Sequence, residues 1–173
     1  TGIVALCIAA LAGWSLARSV VGQEPDDAAM AAYADAANFQ NGGAIDLAIT
    51  EWNKFLEKYP DHRNASMAAH YLGVCHMQKE KPDLVAASKA FARALRDKDY
   101  ELREESLANH GWCLYISAGE GQQRDADRLR QALATYTTLR KENPKSRYLD
   151  RALFYSGESA YGLGQAAQAI EFY

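Results

Sequence analysis

The sequence predicts an all-α fold: an array of antiparallel helix pairs, one pair repeated along the chain. Three observations carry this expectation. A pattern of small residue, aromatic, Pro and Gly recurs at fixed spacing. Turn-forming clusters fall between segments of helical length. The composition, 49% hydrophobic and 24% charged in 173 residues, supplies enough apolar surface to offset chain entropy and excludes disorder over most of the chain.

In one copy of the pattern the marks are Ala48, Trp52, Pro60 and Gly73, at spacings of 4, 8 and 13. Ala132, Tyr136, Pro144 and Gly157 repeat those spacings 84 residues later, the length of two repeats. Ala87, Phe91 and Gly111 supply the middle copy, with Asp99 where Pro is expected. A further copy begins at Ala169 and reaches Tyr173, and Ala36 takes the small-residue place of the first unit. The small residue of each first helix (Ala36, Gly73, Gly111, Gly157) lets the second helix approach closely. That of each second helix (Ala48, Ala87, Ala132, Ala169) does the same from the other side. The aromatic one turn later (Trp52, Phe91, Tyr136, Tyr173) fills the space between neighbouring units. Pro60 and Pro144 end their helices, because proline cannot continue one.

The elements follow in order. Residues from Thr1 to Ala17 carry no charge and read as the apolar region of a signal peptide, with Ser15 and Ala17 as a small-x-small cleavage site or a cut nearer Gln23. A membrane anchor competes with that reading, since about seventeen uncharged residues approach the roughly 20 that span a bilayer. A buried helix is the third alternative. Cys7 follows Leu6 rather than a small residue, which does not fit a lipoprotein acylation site. The chain therefore divides into a leader or anchor at 1–22 and a helical array at 23–173. Glu24-Pro25-Asp26-Asp27 is a helix start, with acids at the positive end of the dipole. Helices are expected at about 26–41, 44–58, 65–79, 83–96, 102–116, 126–142, 147–162 and 165–173. Asn41-Gly42-Gly43, Lys81-Pro82-Asp83, Gly119-Glu120-Gly121 and Gly162-Leu163-Gly164 separate them. Residues 117–125 read as an inserted, mobile surface loop, and the run from Arg124 to Arg130 as a solvated helix start. The apolar ending Ile170-Glu171-Phe172-Tyr173 gives an expectation of about three and a half repeats, cut short, with the array continuing in the natural protein.

On Tyr71-Leu72-Gly73, on Ala48…Trp52…Phe55-Leu56…Pro60 and on Ala169…Tyr173, the chain resembles the tetratricopeptide repeat family over about residues 29–173. The resemblance implies a right-handed superhelix of helix pairs whose first helices line a concave, protein-binding groove. The copies exceed the family's usual length of about 34 residues. The linker Lys58-Tyr59-Pro60-Asp61-His62 is similar to that of bacterial envelope repeats. Those include the cell-division coordinator of the Tol-Pal system and the repeat lipoprotein of the outer-membrane assembly machine. By the family frame the inner positions are Tyr33 and Gln40, then Met67, His70, Val74 and Met77, then Trp112 and Tyr115, then Arg151, Phe154, Glu158 and Tyr161. Tyr33, His70, Met77, Trp112, Tyr115, Arg151, Phe154 and Tyr161 are the expected partner-contacting residues. Aromatics and Met give large contact area at low entropic cost.

Other chemistry finds little support. His70, Cys75, His76, His110 and Cys113 invite a zinc site, but Cys75 and His76 diverge by about 100° on a helix and no paired ligand motif occurs. Cys75 and Cys113 hold equivalent places in adjacent units, on helices about 8–10 Å apart. A disulfide needs Cα atoms within about 7 Å, so both are expected to stay free thiols. Asn64-Ala65-Ser66 matches a glycan acceptor sequence, which is discounted in a bacterial protein. No catalytic triad, carboxylate pair or phosphate loop stands out, so no catalytic residue, metal or cofactor is expected. A net charge of −3 argues against a nucleic-acid partner. The expectation is a non-catalytic scaffold of the bacterial envelope, periplasmic or anchored to the inner membrane. It binds a protein or peptide and touches membrane only through residues 1–21 if these stay uncleaved. The alternatives are the repeat arm of an envelope enzyme whose catalytic domain lies beyond residue 173, and a self-assembling anchored array.

Overall fold

The computed structural model describes residues 24–173, so the leader or anchor expected at 1–22, and Cys7 within it, lie outside the described residues. The described chain is all-helical: α1 (Glu24–Asn41), α2 (Ile45–Lys58), α3 (Ala65–Gln78), α4 (Leu84–Ala94), α5 (Arg103–Ser117), α6 (Ala126–Glu142), α7 (Leu149–Gly162) and α8 (Ala166–Ile170). Each helix packs on its neighbours in sequence, and α5 also meets α7 directly, so the units stack as a solenoid.

Local chemistry sets the boundaries. In α2 the buried side chains Ala48, Trp52, Phe55 and Leu56 fall on one helical stripe. Asp46 and Lys58 sit at the dipole ends that favour them. The Tyr59 N–H closes the helix on the Phe55 carbonyl at 2.8 Å, and Pro60 follows. The Asp83 carboxylate caps α4 by accepting from the Ala86 N–H at 2.9 Å. The Asp125 carboxylate caps α6 through the Asp127 and Arg128 N–H groups. Gly43 and Gly164 turn the chain between paired helices at φ 76° and 74°.

A glycine-and-ring contact recurs inside the units. A Cβ built on Gly73 would lie 2.8 Å from the Phe91 ring, one on Gly111 2.7 Å from the Tyr136 ring, and one on Gly157 2.8 Å from the Tyr173 ring. The missing side chain admits the aromatic ring of the second helix, which is how the small residue lets that helix approach closely. The rings of the first three units also reach the next unit. Trp52 stacks on Tyr71 at 5.7 Å, Phe91 packs with Cys113, and Tyr136 stacks on Tyr155 at 6.0 Å. The buried Trp52 also meets Tyr33 edge-on at 4.9 Å and donates its indole N–H to Gln40 Oε1 at 2.9 Å.

The middle unit solves its missing proline with an arginine. Asp99 occupies the proline place, and α4 has already ended at Ala94 rather than at the expected 96. Arg103 Nη1 donates to the carbonyls of Leu95 and Asp97 at 2.9 and 3.0 Å. Its Nε and Nη2 hold Glu142 at 2.8 and 3.0 Å, tying the end of α4 to the end of α6.

Three further expectations need correction. α7 begins at Leu149, two residues late, because Ser146 and Tyr148 make a capping turn in which the Tyr148 N–H donates to Ser146 Oγ at 3.0 Å. α8 stops at Ile170 instead of running to 173: it packs chiefly on α7, and the Phe172 N–H turns back to the Ala169 carbonyl at 3.1 Å. The insertion at 117–125 is folded against the array, with a 3₁₀ turn at Gly121–Gln123. The Asp125 N–H donates to the Ala118 carbonyl at 2.8 Å and Arg128 Nη1 to the Ser117 carbonyl at 2.5 Å. Arg124, read as part of a solvated run, instead lies over the Tyr115 ring at 4.5 Å.

Trp52→Ala should lower stability by about 3–5 kcal/mol, since it removes a fully buried ring that joins three helices. Urea denaturation reads this directly, and an unchanged midpoint contradicts the packing described.

Candidate functional site

Of the first helices α1, α3, α5 and α7, on which the expected groove residues fall, α5 and α7 pack directly on each other. The side chains divide into two groups. Tyr33 is half-buried against Trp52 and Phe55, and burial pushes its phenol up to about 12. The Gln40 amide oxygen accepts from the Trp52 indole. Val74, Met77 and Trp112 pack around Phe91 and Cys113, and Met67 is half-buried on α3. His70 is only 2% exposed, contrary to its expected place on the open surface. Helix α5 lies over it: Ser106 Oγ sits 2.7 Å from Nδ1 and Glu105 Oε1 3.9 Å from Nε2, while Phe91 meets the ring edge-on at 5.6 Å.

The second group gathers on α5 and α7. Phe154 is 51% exposed and Tyr161 69% exposed. Between them along α7, Glu158 accepts the Tyr115 hydroxyl at 3.0 Å on one oxygen and the Tyr173 hydroxyl at 2.6 Å on the other. Tyr115 leans on Tyr155 at 4.8 Å and carries the Arg124 guanidinium on its ring. Arg151 lies over the Tyr148 ring at 4.9 Å and donates to Asn109 Oδ1 at 3.2 Å. A cavity of about 310 Å³ opens beside Tyr115, bounded by Ile116, Gly119, Glu120, Gly121 and Arg124. Tyr115, Arg151, Phe154 and Tyr161 thus form one surface with Glu158. Tyr33, His70, Met77 and Trp112 serve the packing beneath the face.

Sequence reasoning missed Arg124, Tyr155 and Tyr173 as members of this surface. Tyr155 had a signal: it stands two residues before Gly157, as Tyr71 stands before Gly73. Arg124 comes from the insertion, outside the repeat frame, and no periodic signal marks it.

Among the described residues, no three His, Cys, Asp or Glu side chains converge as a metal-ligand set, and no helix is long and apolar enough to cross a membrane. Cys75 and Cys113 are buried free thiols, and burial pushes them up to about 11 and about 12, far from reactive thiolates. Burial also holds His70, His76 and His110 below the ordinary histidine range, His110 at about 4. Glu105 opposes the shift at His70 and Asp83 that at His76.

The sign of the resulting pH dependence follows from linkage. Below about pH 6.5 the unfolded histidines bind protons that the folded ones refuse, so the folded state loses ground as pH falls. Stability should therefore be flat above pH 6.5 and decline from there toward pH 4, by on the order of 3 kcal/mol for His110 from its drop to about 4. Urea midpoints measured between pH 7.5 and 5, above the range of most carboxylates, test this. His110→Gln should flatten the slope, and an equally steep slope in that variant contradicts the assignment.

A family model described as tetratricopeptide repeat matches residues 16–62 and 151–173. Within the described chain those stretches are α1 with α2, and the α7 hairpin with α8. No curated protein matches the chain as a relative. The matched stretches carry tetratricopeptide repeats, a protein–protein interaction module, and the same glycine-and-ring packing recurs in the units between them.

Proposed function

We propose that this chain is a non-catalytic scaffold of the bacterial cell envelope that captures a segment of a partner protein on the face of its first helices. The observation that carries the reading is the pairing of exposed Phe154 and Tyr161 with Tyr115 and Arg151 on one side of α5 and α7. Interface hot spots are enriched in Tyr, Trp and Arg, and aromatic side chains tethered by neighbours lose little entropy on binding. Tyr115 is tethered by Glu158, Tyr155 and Arg124. The envelope location rests on the uncharged run from Thr1 to Ala17, read as an export signal.

Two measurements test the proposal. In pull-downs from the native cell, Phe154→Ala with Tyr161→Ala should weaken partner recovery by about 1–4 kcal/mol in affinity terms, with thermal melting unchanged because both rings are exposed. Undiminished recovery removes this face from the account. Amino-terminal sequencing of the protein from envelope fractions should find a start between Ala17 and Gln23, or the apolar run retained in membranes. Recovery from the cytoplasm with that run intact contradicts export.

A further inference from the structure

Among the described residues, two guanidinium groups have a buried Nε without any hydrogen-bond partner, Arg124 and Arg151. Both lie on the surface formed by α5 and α7. Neither is in an ion pair, whereas Arg103 and Arg147 nearby are matched to Glu142 and Glu105. Each lies against a tyrosine ring, Arg124 on Tyr115 and Arg151 on Tyr148. A cation over an aromatic face recovers part of the cost of desolvation, but no carboxylate among the described residues completes either charge. Guanidinium donors held rigid by a ring and left without a counter-ion are suited to a carboxylate supplied from outside.

The two lie at opposite ends of one helix. Arg151 sits in the first turn of α7, and Arg124 Nη1 comes within 3.2 Å of a Cβ built on Gly162, the last residue of that helix. Eleven residues of helix separate those ends by roughly 16 Å. An extended peptide covers that span in about five residues. Along the interval lie Phe154, Glu158 and Tyr161. The two Glu158 oxygens already accept tyrosine hydroxyls, and its charge disfavours an acid placed midway.

We propose that this face recognises an acidic segment of its partner, in which two carboxylate side chains about five residues apart engage Arg124 and Arg151 and an apolar side chain between them covers Phe154. The proposal rests on the reading of this face as a protein-binding surface and names the chemistry of what it binds. The partner is an extended stretch of protein: the chain's negative net charge disfavours a polyanionic duplex, and the charges are spaced along a line.

The test is fluorescence anisotropy with three dye-labelled synthetic peptides. One has two Glu five positions apart around a central Leu, one has Gln in place of both Glu, and one has Lys there. The Glu peptide should bind about 10-fold or more tighter than the Gln peptide, and the Lys peptide more weakly still. The preference should shrink as salt rises from roughly 0.05 to 0.3 M. Arg124→Gln and Arg151→Gln should each cost about 10-fold for the Glu peptide and leave the Gln peptide unaffected. Arg151→Lys, which keeps the charge, should retain part of the preference, and melting curves confirm that each variant is folded. Equal binding of the Glu and Gln peptides, tightest binding of the Lys peptide, or folded arginine variants with undiminished affinity overturns the proposal. If Phe154→Ala weakens all peptides alike while the arginine variants are silent, the face binds protein but not acids. If none binds, the acidic pair is wrong, and the pull-down above decides the face separately.

Discussion

In three of the four units of this array an aromatic ring sits where a helix has no side chain. Gly73, Gly111 and Gly157 leave notches that Phe91, Tyr136 and Tyr173 fill. Glycine inside a helix costs about 1 kcal/mol against alanine, so the notch is unfavourable by itself. Burying an aromatic side chain returns about 1.5–3 kcal/mol, and the ring can reach that depth only because the glycine is there. The far side of the ring then meets the next first helix, as Tyr136 meets Tyr155 and Phe91 meets Cys113. One contact therefore closes a hairpin and docks its neighbour, and the array propagates from it.

Polar pairs bind the units at their edges. His62 pairs with Asp26, Ser106 with His70, Ser146 with Glu104, and Arg103 with Glu142. The first three join adjacent units and the fourth joins the two helices of the third, so the stacking register has both an apolar and a hydrogen-bonded component. The same stacking decides which inner residues are free. His70 disappears under α5, whereas Phe154 stands open on α7, although both hold the same place in the frame. The open surface is thus a product of the packing as much as of the residue types on it.

Much of this was legible in the sequence. The spacing of Ala48, Trp52, Pro60 and Gly73 placed the hairpins, because each mark is a backbone or packing requirement that few residues meet. The helix ends at Lys58 and Glu142 followed from the prolines after them. The frame also put Tyr115, Arg151, Phe154 and Tyr161 on one face. It could not show that His70 and Tyr33 are consumed by packing, since that depends on contacts with α5 and α2. Arg103 and Arg124 were illegible for a related reason. Each stands in for something absent from the pattern, a proline at Asp99 or an ordered loop at 117–125, and a pattern search sees only the gap.

The central claim is that the glycine and the ring act as one structural element, and a double-mutant cycle between Gly111 and Tyr136 tests it most directly. With Tyr136 present, Gly111→Ala should destabilise the chain by about 1–3 kcal/mol, as the new methyl meets the ring. In a Tyr136→Leu background the same change should cost nothing, or stabilise by up to about 1 kcal/mol through helix propensity. Denaturation of the four proteins gives the coupling. An equal cost of Gly111→Ala in both backgrounds would show that the glycine is required for some other reason, and the account of the array would fail with it.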